Sequence, residues 1–429
     1  MILAAPLYAN SDRFRSREQA KLAGWCLVMN SKSTTAFDIE RARFDTPGVI
    51  EKLHFNNAGA SLMPRQVLDA VISHLQLEAQ IGGYEAADKA ELRVERVYDA
   101  LADLVNCNRE ELAIVENATR AWDMAFYAIR FQPGDRILTA VSEYASNYIA
   151  FLQVKKSASV TIDVIPNDEF GQINLEALKQ AIDERVKLIA ITHVPTNGGL
   201  VNPAMEVGQI ARSAQIPYLL DACQSVGQMA LDVQEIGCDI LTGTGRKYLR
   251  GPRGTGFLYV SKSVLDNLEP PFLDLHAAEW ISRDQYLVRK DARRFENWET
   301  NYAGKIGLGA AVDYALQWGL HDIEERVVML ANKLRETLTT VPRVVVQDQG
   351  RKKCGLVTFT AGDIPATEIQ KRLAVKDINV SVSKLTYSRL DMEARNLKEL
   401  VRASVHYYNT EQEIEQFCDD LHLIIKDNG

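Results

Sequence analysis

Between residues 136 and 260 the chain alternates short apolar runs with stretches of helical spacing, and this limits the fold more than any other feature. The runs are RILTAV (136–141), VTIDVI (160–165), KLIAITHV (187–194), PYLLD (217–221), DILTGT (239–244) and TGFLYV (255–260). Each is rich in Ile, Val and Leu and bounded by Gly, Pro, Asn or Asp, and LEALKQAID and PAMEVGQIARSAQ separate several of them as helices. Strands covered on both faces carry such near-continuous apolar runs, so the expected class is α/β with a mostly parallel sheet. Upstream, Leu68, Val71, Ile72 and Leu75 keep helical spacing after Pro64, as do Val94, Val97, Leu101 and Leu104.

After residue 300 the texture changes. A helical stretch runs from about Lys305, and Ile323, Val327, Leu330, Leu334 and Leu338 continue on one face. LVTFT, a helix near 366–374, INVSV, LVRASV and a closing helix then read as a smaller α+β unit. The closing helix opens with Thr410 and Glu413 in capping-box spacing, and Ile414, Phe417, Leu421 and Ile424 form its apolar stripe. The expected organisation is an N-terminal arm over 1–50, a large α/β domain over 51–300, and a connecting helix with a C-terminal α+β domain over 301–429. Met29 reads as a natural chain start, which makes 1–28 a disordered arm or an upstream extension.

Composition removes several classes of function. Lys and Arg number 49 against 57 Asp and Glu, a net charge of −8 that argues against a general nucleic-acid binder. No apolar run reaches the ~18 residues a spanning helix needs, so no membrane partner is expected. The opening MILAAPLYA lacks a basic flank, so no secretory signal is expected. Six cysteines (26, 107, 223, 238, 354 and 418) form no CxxC pair, which argues against a disulfide framework or zinc site. Reduced thiols in a cytoplasmic protein are the expectation.

Chemistry concentrates in residues 219–260. Asp221 ends one apolar run, and Lys247 follows 26 residues later in a Gly-rich turn after another. Parallel sheets place ligands at the carboxyl ends of their strands, where both residues face one pocket. An acid at one end of a flat cofactor and an amine at the other suit pyridoxal 5'-phosphate: the carboxylate keeps the ring nitrogen protonated and the lysine forms the Schiff base. On spacing alone, a turn-capping Asp and a solvated Lys are the commoner reading, and GPRGTG matches neither a Walker A loop nor G-x-G-x-x-G.

Ordered motifs narrow the choice. LHFNNAGASLMP, ENATRAWD, SEYASNYIAF, THVPTNGGLVNP, LLDACQSVGQ, TGTGRKYLRGPRGTGFLYV and VRASVHYYNTEQEIE occur in that order. From about residue 53 to 425 they resemble the class V aminotransferase and cysteine desulfurase superfamily of fold-type I pyridoxal-phosphate enzymes. The resemblance implies a large domain with a mostly parallel mixed sheet plus a smaller C-terminal α+β domain. It implies that Lys247 carries the cofactor and moves the Cα proton, with Asp221 on the ring nitrogen. Gln224 contacts the phenolic oxygen, with Thr196 or Asn197 opposite. Ala118, Thr119, Thr244 and Arg246 cradle the phosphate, Tyr144 stacks on the ring, and Arg402 holds the α-carboxylate of an amino-acid substrate. Relatives form homodimers in which a Gly-Thr turn after "F-E" reaches the partner's phosphate. Here that run is RFENWETN, so Thr300 or Asn301 is expected to replace the contact. Arg120, Trp122, His276, Glu279, Trp280 and Tyr387 are further pocket candidates.

Desulfurases of this superfamily carry a nucleophilic Cys ahead of the R-x-S signature, and residues 381–404 contain none. The look of the lysine loop and of LDMEARNL…VRASVHYYNT is nearest the C–S lyase branch that includes hercynylcysteine sulfoxide lyases. The expected reaction is β-elimination from an S-substituted cysteine or its sulfoxide. A class V aminotransferase or epimerase fits the missing Cys as well, and a persulfide-forming desulfurase fits less.

Overall fold

The computed structural model describes residues 37–427, so the expectations for residues 1–28 and for Cys26 lie outside the described residues. A helix, Ile39–Phe44, precedes the first strand of the described residues, the short β1 (Leu53–His54). The main sheet is built from β2 (Leu112–Val115), β3 (Arg136–Ala140), β4 (Thr161–Ile165), β5 (Val186–Thr192), β6 (Tyr218–Asp221), β7 (Ile240–Thr244) and β8 (Gly256–Val260). Its seven strands lie in the order β2-β8-β7-β6-β5-β3-β4. Neighbours from β7 through β4 pair in parallel, whereas β8 runs antiparallel to both β7 and β2. The sheet is therefore mixed and mostly parallel, the α/β class expected from the apolar runs.

Both faces of this sheet are covered. Leu219 and Ile240 enter one core with Trp122, Phe126 and Phe151, while Leu220 and Leu241 enter the other with Tyr98, Leu101 and Leu308. Successive residues of a strand point to opposite faces, and two apolar layers explain why YLLD and DILT show no polar alternation.

A hairpin, β9 (Ala278–Ser282) with β10 (Gln285–Val288), precedes the helices Tyr302–Trp318 and Leu320–Thr340. Beyond them β11 (Val344–Val346), β12 (Leu356–Ala361), β13 (Ile378–Asn379), β14 (Ser381–Lys384) and β15 (Glu399–Ser404) appear. Four of these form an antiparallel sheet in the order β11-β12-β15-β14. The remaining one, β13, pairs in parallel with β1, so residues near 53 add to the C-terminal α+β part. The closing helix Glu411–Lys426 has the expected capping box, with both Thr410 and Glu413 side chains engaged.

One residue of the lysine loop ties these parts together. Arg250 has φ of 61°, the left-handed region that non-glycine residues seldom adopt. Its buried guanidinium donates to Leu62 O (2.8 Å), the Tyr407 hydroxyl (2.7 Å) and the Thr46 hydroxyl (2.5 Å), and lies 4.5 Å from the Tyr408 ring centre. The N-terminal segment, the lysine loop and the C-terminal part thus converge on one cation.

Candidate active site

The carboxyl ends of β5, β6 and β7 coincide, because Thr192 pairs with Asp221 and Asp221 with Thr242. A cavity of about 140 Å³ opens there. Ala118, Thr119, Tyr144, Thr196, Asp221, Gln224, Thr244, Arg246 and Lys247 all line it. Asn117, Asn147, Thr192, Val194 and Cys223 complete the wall.

Asp221 is buried and held from two sides. Its Oδ1 accepts the Cys223 N–H and its Oδ2 accepts the Asn147 amide, both at 2.9 Å. Burial pushes the carboxyl up from its ordinary value, while Asn147, the Cys223 N–H and Lys247 pull it down. Each oxygen keeps a lone pair for a further donor. Behind it stands Glu143, which accepts from the Tyr144 N–H (2.9 Å), the Asn147 amide (2.8 Å), the Thr139 hydroxyl (3.0 Å) and both N–H and hydroxyl of Thr192. Burial, reinforced by the Asp221 charge, raises Glu143 to about 7 against these bonds. Asn147 gives one amide hydrogen to each carboxyl and so bridges them.

Lys247 reaches the cavity floor, with Nζ 3.2 Å from Cys223 Sγ. Burial pushes its amine down; Cys223 raises it, and Arg246 and Arg402 lower it further. A lysine whose amine gives up its proton more readily than a solvated one is better suited to attack a carbonyl and to act as a base.

The opposite end gathers donors for an anion. The helix Ala118–Phe126 begins there, capped by Asn117 through the Arg120 N–H (2.9 Å). The N–H groups of Ala118 and Thr119 belong to its first turn, where no helical carbonyl can serve them, and the helix dipole favours negative charge. Gly256 permits the approach: a Cβ there would lie 2.6 Å from the Asn117 carbonyl carbon. Arg246 faces this end while donating to Gly59 O, and the Thr244 hydroxyl donates to Thr255 O at 3.3 Å.

Arg402 lies on β15, with Nη1 donating to the main-chain oxygen (3.0 Å) and hydroxyl (2.8 Å) of Thr196. Its Nε is buried without an acceptor, and burial lowers the guanidinium to about 10. Asn197 turns away from the cavity and donates to Asp391 (2.6 Å), so Thr196 is the one of the two that lines it.

The other candidates lie elsewhere. Trp122 is buried between Phe126 and Phe151. His276 lies 3.4 Å from the buried Glu296, and Glu279 and Trp280 belong to the exposed hairpin. Arg120 lies over Phe272, and Tyr387 is half-exposed near Arg402. Asn301 uses its side chain to cap the helix that follows, through the Gly304 N–H (2.7 Å). Sequence reasoning passed over Glu143, Asn147 and Cys223, although all three lie inside quoted motifs. Glu143 precedes Tyr144, the N-cap of the helix Ala145–Ala158 that carries Asn147, so no periodic signal joined them.

These residues fit pyridoxal phosphate. An acceptor with spare lone pairs, a depressed lysine and a helix N-terminus with an arginine surround one cavity, and Gln224 Oε1 and Arg402 Nε lack partners. Among the described residues no group of His, Cys, Asp and Glu is arranged to hold a metal ion, and no helix is long and apolar enough to cross a membrane.

Comparison with known proteins agrees. A family model described as Aminotransferase class-V matches residues 53–417. A probable cysteine desulfurase of Methanothermobacter thermautotrophicus is 28% identical over 392 residues, covering 90% of this chain and 98% of its own. One from Xylella fastidiosa is 30% identical over 399 residues, covering 89% and 94%. Among solved structures, the apo cysteine desulfurase of Thermococcus onnurineus NA1 superposes with TM-score 0.85 at 26% identity, over 92% of this chain and 99% of that one. The cystine C–S lyase C-DES, solved with its product cysteine persulfide, shares the fold with TM-score 0.80 at 22% identity, over 88% and 99%. The two curated relatives and the Thermococcus structure carry the desulfurase name, the reaction expected least from the sequence, whereas C-DES is named a C–S lyase; none of the four is named a hercynylcysteine sulfoxide lyase.

Proposed function

The chain belongs to the class V aminotransferase family of pyridoxal-phosphate enzymes, and on that premise we propose that it cleaves the C–S bond of a cysteine-derived amino acid by β-elimination. The observation that carries this reading is the segment 381–404. In desulfurases the corresponding stretch carries the nucleophilic Cys. Here it has none and is pinned: Ser383 donates to Thr196 O (3.1 Å), Ser388 to Glu143 O (3.3 Å), and Asp391 accepts from Asn197. Elimination needs no protein nucleophile.

When bound, the cofactor supplies an electron sink that lets the Cα–H bond break and the β-sulfur leave. Asp221 would hold the ring nitrogen's proton, and the Ala118–Thr119 turn with Arg246 would hold the phosphate. Lys247 would carry the cofactor and, once displaced by substrate, remove the proton from Cα. Arg402, buried with no carboxylate in ion-pair contact among the described residues, would take the substrate carboxylate as a forked pair. The desulfurase reading stays as the second one, favoured by the relatives and by Cys223 in the cavity wall. The protein is taken to act as a homodimer, because the helix Arg65–Ile81 exposes Leu68, Ile72 and Leu75 in helical spacing. A reducing compartment, the cytoplasm, suits its five free cysteines among the described residues.

The test is turnover without a keto acid on S-substituted cysteines and their sulfoxides, assaying pyruvate and ammonia. Many turnovers are expected. One turnover that resumes when a keto acid is added indicates an aminotransferase, and alanine with sulfur left on the protein indicates a desulfurase.

A further inference from the structure

The cavity holds one thiol among the described residues, and its surroundings assign it a task. Cys223 follows Asp221 by two positions, and its N–H is fixed by the Asp221 carboxyl, so its side chain cannot drift from the strand end. Its Sγ, partly exposed to the cavity, lies 3.2 Å from Lys247 Nζ. No other described side chain makes a hydrogen bond to that amine. Cys107, Cys238, Cys354 and Cys418 do not line the cavity. Burial pushes the Cys223 thiol up, while Lys247 pulls it down, and burial pushes the amine down while Cys223 pulls it up. Each group thus lies within electrostatic reach of the other.

We propose that Cys223 is a positioning residue for Lys247: whenever the amine is free, the thiol holds it at the cavity floor and shares its proton. The inference rests on the proton-transfer role proposed for Lys247, and not on which bond of the substrate breaks afterwards. The base must return to one place, in one protonation state, after each transfer at Cα. Without the thiol, Nζ is the end of a four-carbon stem with three rotatable donors and, among the described residues, no side-chain hydrogen bond to fix it. The sulfur contacts the lysine, whereas Arg402, the residue assigned to the substrate carboxylate, is anchored on Thr196 and makes no hydrogen bond to the thiol. That placement suits a partner of the base better than an acceptor of the substrate's sulfur.

The pair is read first in the cofactor-free protein, by the rate at which iodoacetamide alkylates Cys223 as a function of pH, mapped by peptide. In Lys247→Met the loss of the neighbouring ammonium is expected to raise the midpoint by about one pH unit and to slow alkylation below it about tenfold. Cys107, also partly exposed, serves as the unchanged reference. Identical profiles in the two proteins would overturn the pairing. In the holoenzyme, Cys223→Ala is expected to lower kcat about tenfold with KM and the cofactor band little changed. The Cα-deuterium isotope effect should grow as proton removal becomes limiting, and Cys223→Ser should restore part of the rate. An unchanged kcat and isotope effect would overturn the positioning role even if the pair titrates together. A persulfide on Cys223 after turnover with cysteine would overturn it in favour of sulfur acceptance. Because the alkylation profile needs no substrate, failure of the elimination assay and failure of the pair are separate results.

Discussion

Replacing Arg402 by methionine separates what this residue costs the fold from what it gives the site. The side chain is 6% exposed, and among the described residues its guanidinium is anchored by two hydrogen bonds to Thr196. Burial lowers its pKa to about 10, a displacement that corresponds to about 3 kcal/mol against the charged form at neutral pH. The folded chain binds this proton less tightly than the unfolded chain does. The cost is therefore complete below pH 10 and fades as pH rises through that value. Against it stand two hydrogen bonds worth about 1 kcal/mol each. Methionine removes both contributions, so the cofactor-free variant should be more stable by about 1 kcal/mol, with Tm higher by about 2 °C. The same change removes the forked partner of the substrate carboxylate, a loss of ~2–5 kcal/mol or roughly 30- to 5000-fold in kcat/KM. Arg402→Lys keeps the charge without the fork, and should lose kcat/KM without the gain in Tm. Calorimetry of the cofactor-free proteins and steady-state kinetics of the loaded ones supply the two readouts. A methionine variant less stable than the parent would contradict the account of an uncompensated charge. Near-normal kcat/KM in Arg402→Lys would contradict its contact with substrate.

Glu143 gives a prediction about pH. Its folded pKa of about 7 lies above its ordinary value, so the folded chain holds this proton more tightly and stability from this group falls as pH rises from about 4.5 to 7. Glu143→Gln should flatten that part of the Tm–pH profile, whatever its absolute Tm; an unchanged slope would mean that the carboxyl stays ionised. Assembly gives another: Ile72→Glu with Leu75→Glu should convert a dimer into a folded monomer by light scattering, and a variant that remains dimeric would place the interface elsewhere.

The fold was legible where burial leaves a pattern along the chain. The runs at β5, β6 and β7 are apolar because two cores sandwich them, and the residues that end them, Asp221 and Thr244, face the cavity because the strands run parallel. The contacts between those ends were not legible. Lys247 meets Cys223 across a turn, and Glu143 meets Asp221 through Asn147, and neither pairing has a period. Trp122 shows the same limit from the other side. It stands one helical turn after Ala118, close to the phosphate motif in sequence, yet it points into the layer of Phe126 and Phe151 rather than the cavity. The helix Arg65–Ile81 is the instructive case. The stripe Leu68, Val71, Ile72 and Leu75 predicts a helix, and the helix is there. Of that stripe, Val71 joins the face that packs against the helix Tyr302–Trp318, whereas Leu68, Ile72 and Leu75 do not. That face carries Val67, Val71 and His74, and Gly307 lies so close to Val71 that a Cβ there would come within 2.5 Å of it. Leu68, Ile72 and Leu75 stay 42–51% exposed. Side chains of that size recur at helical spacing where something covers them. A hydrophobic pattern records burial in the working assembly, so a stripe exposed in the single chain marks where a second chain is expected.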